Sequence, residues 1–401
     1  MDGLLEHVKS LDSRYVMQTY RRLPVAFVRG EGTRMWDSSG KEYLDMVGGL
    51  GVTVLGHCHP VVTEAIVEQA SRLIHTTNLY YVEPQAELAE MLVERTFPGS
   101  RCFFANSGAE ANEGALKLAR KYHFLKGKSR GKVVCLLGAF HGRTMATLSA
   151  TGQPSKWEPF GPVMPGFEHV PLNNTEALNA AVDENTAAVV LEPIQGESGV
   201  HVLEKEFILA AREACDRTGA VLIADEIQSG MGRTGTFFAL EDSGVVPDVV
   251  TIAKGLANGV PAAVFLARGE LGDVLVPGDH GTTFGGGFLA CAAGRATVRE
   301  VLDSDLPERA GKVGAALLER LGTMPGRVPM VQEVRGRGLM LAVQLDREVS
   351  SEVVLGCLEK GVLVNNVTPS TVRFLPALIL SEQEAMTAAD VLAEVLTDVS
   401  G

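Results

Sequence analysis

A chain of 401 residues with 46% hydrophobic side chains is long enough for one large domain with a full core and a smaller companion. Its formal charge of -13 repels phosphate backbones and anionic membrane surfaces, which sets nucleic acid and membranes aside as partners. No apolar run approaches the roughly 18 residues that cross a bilayer, and the opening MDGLLEHVKSLDSRYV has a charged, helical texture without a signal-peptide core, so a cytoplasmic location is expected.

No repeat, low-complexity tract or Pro/Ser-rich linker cuts the chain, so a second domain has to be woven into the first. Residues 1–45 and 296–401 are expected to build a smaller α+β domain beside a large domain of residues 46–295. Cys58, Cys102, Cys135, Cys215, Cys291 and Cys357 are scattered, lack a CxxC pair and read as reduced core residues. His57-Cys58-His59 looks like a metal nest, but alternate side chains of an extended segment face opposite ways and no matching ligand pair lies nearby. With Pro60 next, it reads as the loop before a helix, and no metal is expected.

From about residue 100 to 270, short apolar runs alternate with helical periods, the pattern of an α/β fold with a mostly parallel sheet covered by helices. Candidate strands lie at 102–105, 133–137, 187–191, 221–224, 249–253 and 262–267. The first five run into Asn106-Ser107-Gly108, Gly138-Ala139-Phe140-His141, Glu192-Pro193-Ile194-Gln195-Gly196, Asp225-Glu226 and Lys254-Gly255. Ligands of open α/β sheets sit outside the carboxyl ends of the strands, so these polar exits imply one site. Beyond residue 295 the sequence reads as a long helical stretch, a strand at 339–345, a helix ending at Gly361, two short strands and a last helix. Ser381 and Glu384 form a capping box for that helix.

Ser107 and Glu110 likewise fit a capping box, and Ala111, Ala115, Leu118, Ala119 and Tyr122 fall on one helical face. A small-residue helix start after a strand offers free N–H groups and a positive dipole end to a phosphate. Asp225 closes an apolar strand, where a carboxylate is costly unless it is paired or used, and a protonated pyridine nitrogen is a suitable partner. Lys254 is planted at the same sheet edge, and lysine is the residue that forms a Schiff base. Phe140 and His141 lie where a ring can stack on a flat cofactor, and Arg143 can grip a carboxylate with its fork. Each has an ordinary structural reading as cap, core residue or surface charge; their arrangement carries the site. Gly230-Met231-Gly232-Arg233-Thr234-Gly235 matches GxGxxG but does not open a helix directly after a strand, so a nicotinamide-dependent dehydrogenase is a remote alternative.

With these residues placed, nearly the whole chain resembles the class III aminotransferases of pyridoxal 5'-phosphate (PLP) fold type I, and within them the branch that acts on acetylornithine. The blocks that carry the resemblance include LGHCHP, NLYYVEPQAELAE, FFANSGAEANEGALKLAR, FHGRTMATLSATGQP, LEPIQGESGV, LIADEIQSGMGRTG, TIAKGLANGVP and TTFGGG. The resemblance implies transamination of the terminal amine of N-acetylornithine with 2-oxoglutarate, a step of arginine biosynthesis, or of another ω-amine: ornithine, succinylornithine, 4-aminobutyrate or a carrier-bound lysine. Residue by residue it implies Lys254 as the Schiff-base lysine and proton shuttle, Asp225 at the pyridine nitrogen and Gln228 at the phenolic oxygen. Phe140 would stack on the ring, with Ser107, Gly108, Ala109 and His141 completing the cofactor site. Arg143 and Arg373 would bind substrate carboxylates, with Glu197 as a switch over Arg373 and Tyr20 at the border. Thr283 would reach the phosphate of the neighbouring subunit in a homodimer. Ala109 replaces the family's usual hydroxyl residue, and Gly287-Phe288 and Ala377 also depart from its pattern. A binding protein that keeps the fold without turnover is the other reading, and it gives no reason for Lys254.

Overall fold

The computed structural model describes residues 3–400. Its centre is a seven-stranded sheet, in spatial order Arg101–Ala105, Ala263–Ala267, Val249–Ile252, Val221–Asp225, Thr186–Leu191, Lys132–Leu136 and Phe167–Val170. From Val249–Ile252 to Phe167–Val170 all pairings are parallel, while Ala263–Ala267 runs antiparallel to both neighbours. Each of the six expected strands is present within one residue of its expected bounds. The edge strand Phe167–Val170 was not expected, because Glu168 and His169 break its apolar run.

The central strands read as continuous apolar runs because both faces are buried. Val133, Cys135, Val221, Ile223 and Val249 pack with Ala115, Leu118 and Ala119 of the helix Gly108–Leu125. Their neighbours Val134, Leu136, Leu222, Ala224 and Val250 enter the larger core on the other side. Leu222 is wholly enclosed there, so truncating it to alanine costs about 2–5 kcal/mol.

Phe27–Glu31, Arg34–Asp37 and Glu42–Asp45 form an antiparallel meander that pairs in parallel with the distant Val362–Leu363. Val331–Arg337, Met340–Leu345, Thr371–Phe374 and Asn365–Thr368 make a separate antiparallel sheet. The two short strands expected after Gly361 are therefore three, split between two sheets. Val331–Arg337 was missed because Arg335, Gly336 and Arg337 obscure its alternation. The Ser381 box is formed: Ser381 N–H donates to Glu384 Oε2 at 2.9 Å and Glu384 N–H to Ser381 Oγ at 3.2 Å.

The glycine-rich turn at 230–235 ties the large sheet to the C-terminal sheet. Arg233 is wholly buried in it and donates from Nη1 to Leu339 O at 3.0 Å and Pro376 O at 2.7 Å. No α-helix follows directly, which removes the dinucleotide reading. His57 Nε2 lies 2.8 Å from Asp45 Oδ2, and His59 stands at the N-cap position of the helix Pro60–Arg72 without a side-chain cap bond. Among the described residues no cluster of metal ligands occurs, and no helix is long and apolar enough to cross a membrane. Cys58 corrects the reading of the cysteines: it is exposed, in a left-handed backbone position (φ 49°), while Cys135, Cys215, Cys291 and Cys357 are buried.

Candidate active site

A cavity of ≈ 400 Å³ opens at the carboxyl ends of the parallel strands. The exits of Arg101–Ala105, Thr186–Leu191, Val221–Asp225 and Val249–Ile252, the loop after Lys132–Leu136, and Val260 to Ala262 before the antiparallel strand all line it. Ser107, Gly108, Ala109, Phe140, His141, Arg143, Glu197, Asp225, Gln228 and Lys254 meet there.

The helix Gly108–Leu125 starts at the wall of the cavity. Ser107 caps it, accepting from Glu110 N–H at 3.3 Å, but the reciprocal half of the expected box is displaced. Glu110 Oε2 accepts from Asn106 N–H at 2.9 Å and Asn106 Nδ2 at 2.8 Å, one residue upstream. The first N–H groups, those of Gly108 and Ala109, have no carbonyl to bind within the helix. Gly108 has a packing reason as well, since a Cβ there would meet Ile227 Cδ1 at 2.7 Å.

Asp225 is held from three sides. Oδ2 accepts from Asn112 Nδ2 and lies 2.8 Å from His141 Nδ1; Oδ1 accepts from Ile227 N–H at 3.1 Å. Burial opposes a charge on His141, but the hydrogen bond and charge of Asp225 prevail and its pKa is raised. Beside them Glu192 accepts from Phe140 N–H at 2.9 Å, and burial, reinforced by Asp225, pushes its carboxyl up to about 7 against the pull of His141. Glu192 and Asn112 are the site residues sequence reasoning missed. The buried Glu-Pro exit signalled Glu192; Asn112, on the helix face just past Ala111, had no sequence signal.

Lys254 follows the strand Val249–Ile252 in a left-handed backbone position (φ 27°), a strain that persists where surrounding structure over-determines it. Burial, helped by the charge of Arg373 and opposed chiefly by Glu197, lowers its pKa, which favours the free amine. Arg373 lies behind the wall on Thr371–Phe374, wholly buried. Its Nη1 donates to Glu197 Oε1 at 2.8 Å, Gly196 O at 3.0 Å and Gln228 Oε1 at 3.1 Å, while Nη2 has no acceptor. Burial alone would raise the pKa of Glu197; Arg373, Lys254 and Gln228 together hold it down at about 2. Gln228 thus bridges Glu197 and Arg373. Tyr20, 75% exposed, and Thr283, also exposed, lie outside the cavity wall of their own chain.

Residues 15–396 match the model of the family Aminotransferase class-III. The chain belongs to the class-III aminotransferases. It is 49% identical to an acetylornithine aminotransferase of Caldanaerobacter subterraneus subsp. tengcongensis over 97% of this chain and 98% of that one. An ornithine aminotransferase of Toxoplasma gondii superposes with TM-score 0.95 at 36% identity, covering 100% and 97% of the two chains. An acetylornithine aminotransferase of Elizabethkingia anophelis superposes with TM-score 0.88 at 31% identity, covering 98% and 99%.

As a class-III aminotransferase the chain is a PLP-dependent enzyme acting on a small amino donor and a keto acid, and the cavity residues fit that cofactor. The Lys254 amine, a carboxylate fixed from three sides, a pair of helix N–H groups without intrahelical acceptors and the Phe140 ring all line one space. In Gly287-Phe288 the glycine is simply the N-cap of the helix Phe288–Asp303. Ala377 is buried, and nothing in the structure explains the replacement there.

Proposed function

We propose that this enzyme transfers the terminal amino group of N-acetylornithine to 2-oxoglutarate, giving N-acetylglutamate 5-semialdehyde and glutamate, a reaction of arginine biosynthesis. The observation that carries the chemistry is the Lys254 amine, its pKa lowered, in one cavity with Asp225 and the Gly108–Ala109 helix start. The donor rests on the acetylornithine aminotransferases among the relatives; overall shape does not choose, since an ornithine aminotransferase superposes at least as well.

When bound, PLP supplies a carbonyl for the donor's amine and a protonated ring that withdraws electrons from the reacting carbon. Lys254 Nζ would hold it covalently and would carry the proton that leaves the donor's terminal carbon. Its lowered pKa keeps a free base available for that task. Asp225, positioned by Asn112 and His141, would keep the ring nitrogen protonated, and the amides of Gly108 and Ala109 would take the phosphate. Phe140 would stack on the ring and Gln228 would hydrogen-bond its phenolic oxygen, with Ser107 and His141 completing the shell. Arg143 receives the carboxylate far from the reacting carbon. Arg373, whose Nη2 lacks an acceptor, receives the α-carboxylate of glutamate when Glu197 moves aside. Tyr20 borders the donor's path.

The same reading makes the enzyme a cytoplasmic homodimer in which Thr283 serves the partner's phosphate site. Its support is a run of exposed apolar side chains beside that residue: Leu79, Tyr80, Tyr81 and Phe284. Asn78 Nδ2 donates to Thr282 O at 3.3 Å and Gly285 O at 3.0 Å, so the two segments form one surface. Residues 1–45 with 296–401 make the small unit and 46–295 the large one, a division supported by the pairing of Glu42–Asp45 with Val362–Leu363.

Adding N-acetylornithine alone to the holoenzyme tests the function. Loss of the visible band of the lysine-bound cofactor with stoichiometric release of aldehyde is expected. A band that persists with N-acetylornithine but bleaches with ornithine or 4-aminobutyrate reassigns the donor. A Lys254→Ala protein that still bleaches at the wild-type rate overturns the chemistry.

A further inference from the structure

Lys156 belongs to the short helix Pro154–Trp157 and is partly buried. Its Nζ lies 6.0 Å from the centroid of the Phe140 ring, and Arg143 Cζ lies 5.3 Å from the same centroid. Neither cation has a carboxylate partner among the described residues, although the chain carries an excess of acids. Burial and the charge of Arg143 hold the Lys156 ammonium below the usual lysine range, with Glu197 opposing them. The other end of the site differs, since Arg373 already has Glu197. Two unpaired cations over one ring form an arrangement that an arriving anion relieves.

We propose that Lys156, together with Arg143, binds the substrate carboxylate farthest from the reacting carbon and so selects acidic donors over uncharged amines. This rests on the function proposed above. Both substrates carry such a carboxylate, but in N-acetylornithine it lies one methylene farther from the reacting carbon than in glutamate or 2-oxoglutarate. A guanidinium fork favours one planar pairing, whereas an ammonium on a flexible four-carbon stem follows a carboxylate that shifts by a bond length. Arg143 and Lys156 together accommodate both lengths; Arg143 alone would favour one.

The test is equilibrium binding of glutarate, an unreactive dicarboxylate, to the holoenzymes of wild type, Lys156→Met and Lys156→Arg, at low and high salt. Lys156→Met is expected to weaken glutarate about tenfold and Lys156→Arg less than about threefold, with the gap narrowing as salt screens the charge. In kinetics, KM for N-acetylornithine rises in Lys156→Met while kcat is held, and the rate of cofactor bleaching by pentylamine does not change. Equal glutarate affinity in wild type and Lys156→Met overturns the proposal, as does equal loss toward pentylamine. If wild type itself fails to bind glutarate, the carboxylate-accepting site falls, and the role of Lys156 with it.

Discussion

Glu197 and Arg373 form a 2.8 Å ion pair in which the arginine is wholly enclosed and the glutamate keeps 27% of its side-chain surface exposed. The carboxylate therefore covers a buried cation and is the half of the pair that can leave. Glu197→Ala strands that cation, and removing one partner of a buried pair costs about 3–5 kcal/mol, with the lower figure expected here because Glu197 is partly exposed. It also opens Arg373 to substrate, so KM for 2-oxoglutarate is expected to fall and glutamate to compete better with N-acetylornithine. Urea unfolding and competition between the two donors check both effects. An unchanged preference between donors removes the switch role from Glu197.

Sequence patterning located most of this architecture because its signals are local. Each central parallel strand is apolar on both faces and runs into a polar or glycine residue, so strands and strand exits were legible together, whereas the edge strand Phe167–Val170 was not. Asn112 was not legible: it sits between core alanines on a helix, and only the approach of Asp225 from a strand far along the chain gives it a purpose. Val331–Arg337 failed for a related reason, because its arginines are satisfied by partners brought in by the fold. Arg335 donates to Gly199 O at 2.8 Å and Arg337 to Ala239 O at 2.6 Å. Gly108 opens a helix after a strand, and close packing against Ile227 gives a reason for glycine there that the sequence does not carry.

Asp225 and its two supports should separate charge from position. Asp225→Ala removes the carboxylate and is expected to lower kcat on the order of 10²–10⁴-fold, the range for loss of a group that governs proton chemistry. Asn112→Ala leaves the charge and removes one charge-assisted hydrogen bond, worth about 1.5–3 kcal/mol, so a smaller loss accompanied by weaker cofactor binding is expected. Steady-state kinetics with cofactor titration checks the order. Equal effects of the two substitutions mean that Asn112 does more than hold Asp225.

Glu192 makes stability depend on pH with a defined sign. Its carboxyl rises from 4.5 to about 7 on folding, so between those values the folded protein holds a proton that the unfolded chain releases. The contribution is full below pH 4.5 and is lost as pH climbs to about 7. Glu192→Gln has no charge at any pH and can still accept from Phe140 N–H. Its stability relative to wild type is expected to rise on the order of 2 kcal/mol between about pH 5 and about pH 8. Urea midpoints of the cofactor-free proteins measure this; parallel curves at both pH values count against a protonated Glu192.

Ala109 offers the sharpest test of where the phosphate sits. It is the second helical residue after the Ser107 cap and lines the cavity. Its side chain backs onto Gly142 (φ 140°), where a Cβ would stand 2.8 Å from Ala109 Cβ and 2.5 Å from Thr147 Oγ1. The absence of a side chain at Gly142 therefore leaves room beside Ala109, and Ala109→Ser should be accommodated where Gly142→Ala is not. A serine hydroxyl adds one donor next to the Gly108 and Ala109 amides. A net hydrogen bond of about 0.5–1.5 kcal/mol then tightens cofactor binding about two- to twelvefold. Equilibrium dialysis of the cofactor-free proteins gives the number, and thermal melts show whether both variants fold. A folded Ala109→Ser protein with unchanged cofactor affinity places the phosphate away from this helix start; a tighter one fixes it there.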